Sequence, residues 1–394
     1  MTAPKLRFKE FDGDWTKVSL DKVSKVFDGT HQTPNYVESG IKFVSVENIH
    51  APYDSDKFIT VEAFKKDFKN QPQQNDILMT RITAGEIGAT AIVDDREPLA
   101  YYVSLALIRP KAVVTTPFLN QYIGTPFFKN ELHKRIIHVA FPKKINLGDI
   151  NECLVSLPDK QEEQTKIASF LSAVDEKISQ LTQKHELLSQ YKQGMMQKLF
   201  SQQIRFKADD GSEFGEWEDK KLAEVCNFIN GRAYKQTEWE KEGIPVIRLQ
   251  NLTGSGKDYY YSNLNLPNHQ YCYNNDLLYM WSATFGPVFW QGEKAIFHYH
   301  IWKIEVNPQL LDKKYAYFLL DEMTEKMKRS LNGSTMLHVT KQGMEDTVKT
   351  IPSLKEQTKI ANFLSAIDQK IEVVVQQIEQ AKTWKTGLLQ QMFV

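Results

Sequence analysis

The sequence predicts an α+β protein: two similar mixed α/β domains separated by two long antiparallel helices of coiled-coil type, with an internal pseudo-two-fold repeat. Three observations carry this prediction. The run 163–178 returns without a gap as 356–371, differing only at the pairs 169/362, 174/367 and 176/369, and the register holds to Phe200 and Phe393. Both copies place apolar residues in a four-three rhythm, the pattern of helices wrapped against each other. Fainter landmarks also recur upstream of each copy, and two copies a domain apart imply two matching halves.

The segment 1–157 reads as mixed. Short β-branched runs such as 41–46 and 91–93 suggest strands, and 122–137 has helical character. Residues 158–203 form the first long helix, with Ile167, Leu171, Val174 and Ile178 opening its seam. His185 and Lys192 interrupt that seam. The polar, glycine-bearing stretch 209–215 links to a second mixed domain over 204–351. Here Trp217, Leu222, Val225 and Gly231 repeat Trp15, Leu20, Val23 and Gly29. Likewise Gly243 and Asn251 repeat Gly40 and Asn48, and 275–278 repeats 75–78. The segments between the landmarks diverge strongly, as expected of one frame carrying two contents. Residues 352–394 form the second long helix, with Ile360, Leu364, Ile367 and Ile371 in the seam and Lys385 interrupting it. Asp159 with Glu162, and Ser353 with Glu356, have capping-box spacing after Pro158 and Pro352. About 40 helical residues span roughly 60 Å. If the seams pair, the helices run antiparallel and hold the two domains at opposite ends of a spacer. Duplex DNA offers two such targets, because half-sites one turn (about 34–36 Å) apart face the same way.

Composition sets limits. The chain has 394 residues and 49 basic against 49 acidic side chains, so it is not a uniformly basic protein, although a local basic face remains open. Its charged N-terminus does not resemble a signal peptide, and no apolar run approaches the ~20 residues of a membrane span. Three scattered cysteines, Cys153, Cys226 and Cys272, fit a reducing cytoplasm better than a disulfide frame or a zinc site. No Gly-x-x-x-x-Gly-Lys-Ser/Thr loop is present, and neither a glycine-rich cofactor turn nor an Asn/Asp-Pro-Pro-aromatic element occurs. His298 and His300 would share one face of a strand, but no third ligand completes a metal site. Ser282 and Thr284 lack a nucleophile elbow. These absences agree with a non-catalytic role.

The doubled Pro-x-x-x-Glu-Gln-Thr-Lys-Ile-Ala motif, its Phe-Leu-Ser-Ala-x-Asp continuation, the leading Trp and the Asn-Asp-(Ile/Leu)-Leu turn together resemble the specificity subunit of type I restriction–modification systems. The resemblance covers essentially the whole chain. It implies that each mixed domain is a target-recognition domain reading one half of a split, asymmetric site in double-stranded DNA. It implies that the long helices act as a ruler and dock two methyltransferase subunits, which restriction/translocase subunits then join. It also implies that this chain holds no cofactor, with S-adenosylmethionine, ATP and Mg on the partner subunits.

DNA-contact candidates rest on residue type. Lys129, His133, Lys134, Arg135, His138, Lys143 and Lys144 form a locally basic stretch opposed by Glu131, and Lys326, Lys328, Arg329, His338 and Lys341 stand comparably in the second half. Such residues can neutralise phosphates; a solvated helix face with scattered lysines explains them equally well. Arg81 in the first domain, and Arg248 and Gln250 in the second, have the side chains that match base edges. Asn48 and Asn251 occur in both halves, which favours a turn role for them. Most of Tyr259, Tyr260, Tyr261, Tyr279, Trp281, Trp290 and Trp302 belong to a core, with one or two available to pack on DNA. Exposed polar positions Gln183, Lys184, Gln376 and Gln377 are open to a methyltransferase. A competing reading is a non-enzymatic coiled-coil adaptor joining protein partners, which the neutral charge suits.

Overall fold

The computed structural model describes residues 3–82, 86–137, 142–282, 284–330 and 339–394, so His138 and His338 lie outside the described residues. The chain parts into two compact units, Met1–Gln183 with Gln376–Val394, and Lys184–Val375. The division falls within both long helices, Gln161–Phe200 and Leu354–Gln391.

The strands of the first unit are β1 (Thr16–Ser19), β2 (Ser24–Asp28), β3 (Ile41–Val44), β4 (Phe58–Ile59), β5 (Ile77–Thr80), β6 (Thr90–Ile92), β7 (Leu99–Tyr101), β8 (Leu105–Pro110) and β9 (Leu154–Leu157). They build an antiparallel sheet ordered β2-β8-β5-β6, a sheet β4-β3-β7 in which β3 and β7 are parallel, and the pair β1-β9. The second unit carries β10 (Glu218–Lys221), β11 (Cys226–Asn230), β12 (Ile244–Ile247), β13 (Tyr260–Ser262), β14 (Tyr271–Cys272), β15 (Leu277–Ser282), β16 (Thr284–Phe289), β17 (Ala295–Phe297), β18 (Ile301–Val306) and β19 (Val348–Ile351). Their order is β11-β18-β15-β16, β13-β12-β17-β14 and β10-β19, with β12 and β17 parallel. The topology of the first unit is thus written again, with one strand, β14, added.

The recurring landmarks are the backbone positions this topology demands. Asn75 and Asn275 adopt left-handed φ of 71° and 68°, a conformation asparagine tolerates better than most side chains. The following aspartate of each accepts a backbone N–H, Asp76 from Gln73 and Asp276 from Tyr273. A Cβ on Gly29 would lie 2.6 Å from Tyr101 O, and one on Gly231 would lie 2.2 Å from His298 O. Only glycine admits that approach of two backbones.

The helix expected over 122–137 is two helices, Thr116–Ile123 and Pro126–Lys134. Proline cannot continue a helix; instead Thr125 caps a new one, its hydroxyl accepting from Phe128 N–H at 3.3 Å.

The doubled motif is the joint between each domain and its helix. Glu163 and Glu356 are 1% and 0% exposed, and Glu356 is engaged by Arg205 and Trp217 rather than in the cap with Ser353 that its spacing suggested. Glu163 accepts from Arg7 Nε and Nη2 at 2.7 and 2.8 Å; Glu356 accepts from Arg205 at 3.1 and 2.8 Å and from Trp217 Nε1 at 3.1 Å. The next residue clamps the loops that leave the sheets. Gln164 accepts from Thr115 N–H and donates to Val113 O and Pro158 O; Gln357 accepts from Asp312 N–H and donates to Leu310 O and Pro352 O. Aromatic contacts complete each joint, Phe8 on Phe170 and Phe206 on Phe363.

Each unit contains a piece of both long helices, packed antiparallel. In the first, Ile167, Leu171 and Val174 share a core with Leu388, Met392 and Phe393, and Ile178 packs on its margin. In the second, Ile360, Leu364 and Ile367 share a core with Met196 and Leu199, with Ile371 at the margin. The two lysines expected to interrupt the seams are paired across it: Lys385 with Asp175 at 2.5 Å and Lys192 with Asp368 at 2.7 Å. Both acceptors are the aspartate of the repeated Phe-Leu-Ser-Ala-x-Asp. The free thiols Cys153, Cys226 and Cys272 are all buried.

Candidate nucleic-acid interface

Where the parallel strands of each second sheet end, the chain makes the same turn in both units. His298 N–H donates to Ile247 O and Tyr102 N–H to Val44 O, each at 2.9 Å. Ile301 N–H closes the turn on His298 O and Leu105 N–H closes it on Tyr102 O, again at 2.9 Å each. Arg232 N–H reaches Phe297 O as Thr30 N–H reaches Tyr101 O. Arg248 opens the turn held by Asn251 as Ser45 opens that of Asn48, with Arg248 O and Ser45 O accepting the asparagine N–H. The backbones therefore match at these bonds, while the side chains do not. Thr30, Ser45, Tyr102 and Ser104 in the first unit stand where Arg232, Arg248, His298 and His300 stand in the second.

Arg81 belongs to this frame and not to a reading edge. Its Nε donates to Val103 O at 2.7 Å, Nη1 to Ile145 O at 3.3 Å and Nη2 to Asp28 Oδ1 at 2.7 Å, and the residue is 7% exposed. Trp281 is its counterpart: Trp281 N–H bonds His300 O as Arg81 N–H bonds Ser104 O, and Trp281 Nε1 donates to Tyr299 O at 2.8 Å. A guanidinium with three internal acceptors is committed to holding its turn. Around it lies a cleft of about 460 Å³ lined by Asp28, His31, Tyr102, Ser104 and Lys144 among others.

In the second unit Tyr279, Trp302 and Trp281 stack in series from core towards surface, at centroid distances of 5.8 and 5.7 Å. Trp281 meets His300 edge-on at 5.4 Å, and the rings of His298 and His300 lie 5.0 Å apart. Burial, with His300 and Arg248 nearby, pulls His298 down to about 4, so its imidazole is neutral at physiological pH. Burial also lowers His300. Arg248 lies over the Tyr260 ring at 3.9 Å, a cation–π contact. Gln250 is half-buried, with its side-chain amide packed beside Gly256.

The basic stretches are mostly balanced by their own helices. Lys134 and Arg135 both pair with Glu131, at 2.8 and 2.9 Å, and Lys129 pairs with Glu86. Lys326 pairs with Glu322, Lys328 with Glu325 and Lys341 with Glu345, all at helical spacing, while Arg329 Nε donates to Glu325 O. A cation already neutralised by an i±3 or i±4 carboxylate adds little net field, so for Lys134, Arg135, Lys326, Lys328 and Lys341 the solvated helix face is the better description. Lys143 and Lys144 differ: both are exposed, and neither has an ion-pair partner among the described residues. Among those residues no group of three His, Cys, Asp or Glu could hold a metal ion, and no helix is long and apolar enough to cross a membrane.

Sequence reasoning considered His298 and His300 only as metal ligands and passed over Arg232. The available signal was the repeat itself, because aligning Gly29 with Gly231 places Arg232 opposite Thr30.

A family model described as the type I restriction modification DNA specificity domain matches residues 12–190 and again 215–383. The chain is 28% identical over 409 residues to the putative type I restriction enzyme MjaX specificity subunit of Methanocaldococcus jannaschii, spanning 98% of this chain and 95% of that one. It is 26% identical over 166 residues to the type I restriction enzyme EcoBI specificity subunit of Escherichia coli, or 42% of this chain and 35% of that one. Its fold is similar to the crystal structure of the type I restriction–modification S subunit from M. genitalium, with a TM-score of 0.60 at 16% identity over 100% of this chain and 99% of that one.

Proposed function

Because the chain belongs to the family of type I restriction–modification DNA specificity subunits, we propose that it reads a bipartite, asymmetric DNA site, one half with each mixed domain, and presents its long helices to partner subunits. As a specificity subunit it is non-catalytic, binds DNA and assembles with the other subunits of its complex. The target-recognition domains are 1–157 and 204–351, and the helices 158–203 and 352–394 are the spacer. Two methyltransferase subunits dock on the helices and restriction/translocase subunits join them. S-adenosylmethionine, ATP and Mg belong to those partners, and the complex works in the cytoplasm.

The observation that carries this reading is the pair of equivalent turns: one backbone frame, built twice, with unlike side chains at Thr30/Arg232, Ser45/Arg248 and Tyr102/His298. A uniform binder has no use for two different faces on identical scaffolds, whereas a reader of an asymmetric site requires them, since base edges are distinguished by donor and acceptor pattern. The test is selection from random DNA pools by the full chain assembled with its methyltransferase partner. Recovery of a gapped, two-part motif supports the reading. Uniform binding of all sequences refutes it, and protein partners with no DNA binding would favour an adaptor.

A further inference from the structure

The chain has nine arginines, and among the described residues seven of them are seen to hold a carboxylate: Arg7, Arg81, Arg96, Arg109, Arg135, Arg205 and Arg232. Arg248 does not. Among the described residues its guanidinium makes one long hydrogen bond, Nη2 to Asp258 O at 3.4 Å, and its Nε is buried without a partner. Yet the group is not loose, because the Tyr260 ring supports it at 3.9 Å. A planar cation that is positioned but left with spare donors is preorganised for an external acceptor. It sits where strand β12 ends, beside the end of the parallel strand β17, and so next to His298. His300 follows across the turn, and Trp281 fixes that turn through Tyr299 O. Each neutral imidazole offers one donor and one acceptor.

We propose that Arg248, His298 and His300 are the specificity-determining residues of the second domain, with Arg248 reading a guanine and the two imidazoles reading adjacent base edges. This rests on the DNA-reading function proposed above. Arginine bidentate to guanine O6 and N7 is the commonest specific contact in the major groove. The geometry of the turn supplies the rest: three polar side chains project from the ends of two neighbouring strands and one tight turn, on a backbone the first domain also builds but furnishes with Ser45, Tyr102 and Ser104. Trp281 is a positioning residue in this scheme, holding the turn without touching a base.

The experiment uses the full chain assembled with its methyltransferase partner and pools of random duplex DNA. Arg248→Ala is expected to abolish the preference for guanine at one position of one half-site, lowering discrimination there by about 5- to 150-fold, with the other half-site unchanged. Arg248→Gln keeps a bidentate side chain and is expected to shift that position towards adenine. His300→Ala is expected to relax a neighbouring position of the same half-site. Arg329→Ala, at the other arginine without a carboxylate partner among the described residues, serves as control and is expected to leave the motif intact. Equal weakening on all sequences by Arg248→Ala would make it a phosphate contact and overturn the proposal, as would an unchanged motif with both Arg248 variants. A parent complex that selects no split motif overturns instead the reading on which the proposal stands.

Discussion

A glutamate with almost no solvent contact begins each long helix, and its arginine lies 156 residues away in one half and 151 in the other. Removing the arginine leaves a carboxylate stranded in the interior, which costs far more than losing a surface pair. We expect Arg205→Ala to lower the unfolding free energy of the full chain by about 3 kcal/mol in urea titration, and Arg7→Ala to do the same. Glu356→Gln should cost less, since Trp217 Nε1 keeps an acceptor. His298 gives a second expectation. Its folded-state value, about 4, lies below the ordinary 6.5, so the unfolded chain binds its proton first. Its contribution to stability is complete above pH 6.5 and is lost as pH falls from 6.5 through 4. An NMR titration should place its midpoint well under 6.5, and His298→Gln should flatten the stability–pH curve in that window. A midpoint near 6.5 would show the ring to be solvated. Arg81 shows where type-based reasoning stops. Its chemistry suited a base contact, but three internal acceptors, none of them close to it in sequence, claim it first.

Among the elements, the long helices were the most legible, because a four-three rhythm over some forty residues has few alternatives. The purpose of the repeated Glu-Gln was not legible: its partners are backbone groups and arginines far away in sequence, and periodicity carries no trace of them. Lys192 and Lys385 looked like flaws in the seams until each met the aspartate of the opposite copy. In the basic stretch at 129–144 the acidic Glu131 is visible in the sequence, but its double pairing with Lys134 and Arg135 appears only once the helix is placed. The break at Pro126 is legible in the proline and the Thr125 cap before it. For the helices themselves, deleting one turn from each, about 5.4 Å, is expected to shorten the spacer tolerated between half-sites in a methylation assay. An unchanged spacer would remove the ruler role.

For the molecule as a whole, the repeat implies modular reading. Replacing residues 1–157 with the corresponding domain of another specificity subunit should change one half of the selected motif and leave the other intact. A change in both halves would mean that the domains do not read independently. The frame of each unit was foreshadowed by its shared landmarks, Gly29 with Gly231 and Asn75 with Asn275. The unlike side chains of the two equivalent turns were not, because divergence between the halves hides them from any comparison of one with the other until the backbones are matched by their hydrogen bonds. The buried thiols have a further use. Cys153 belongs to the first unit, while Cys226 and Cys272 belong to the second, and burial pushes all three up to about 12. They are silent to alkylating reagents until their surroundings open. Mass spectrometry of a timed alkylation series would therefore count openings of each half separately, with no label introduced, and would tell whether the two melt together or in turn.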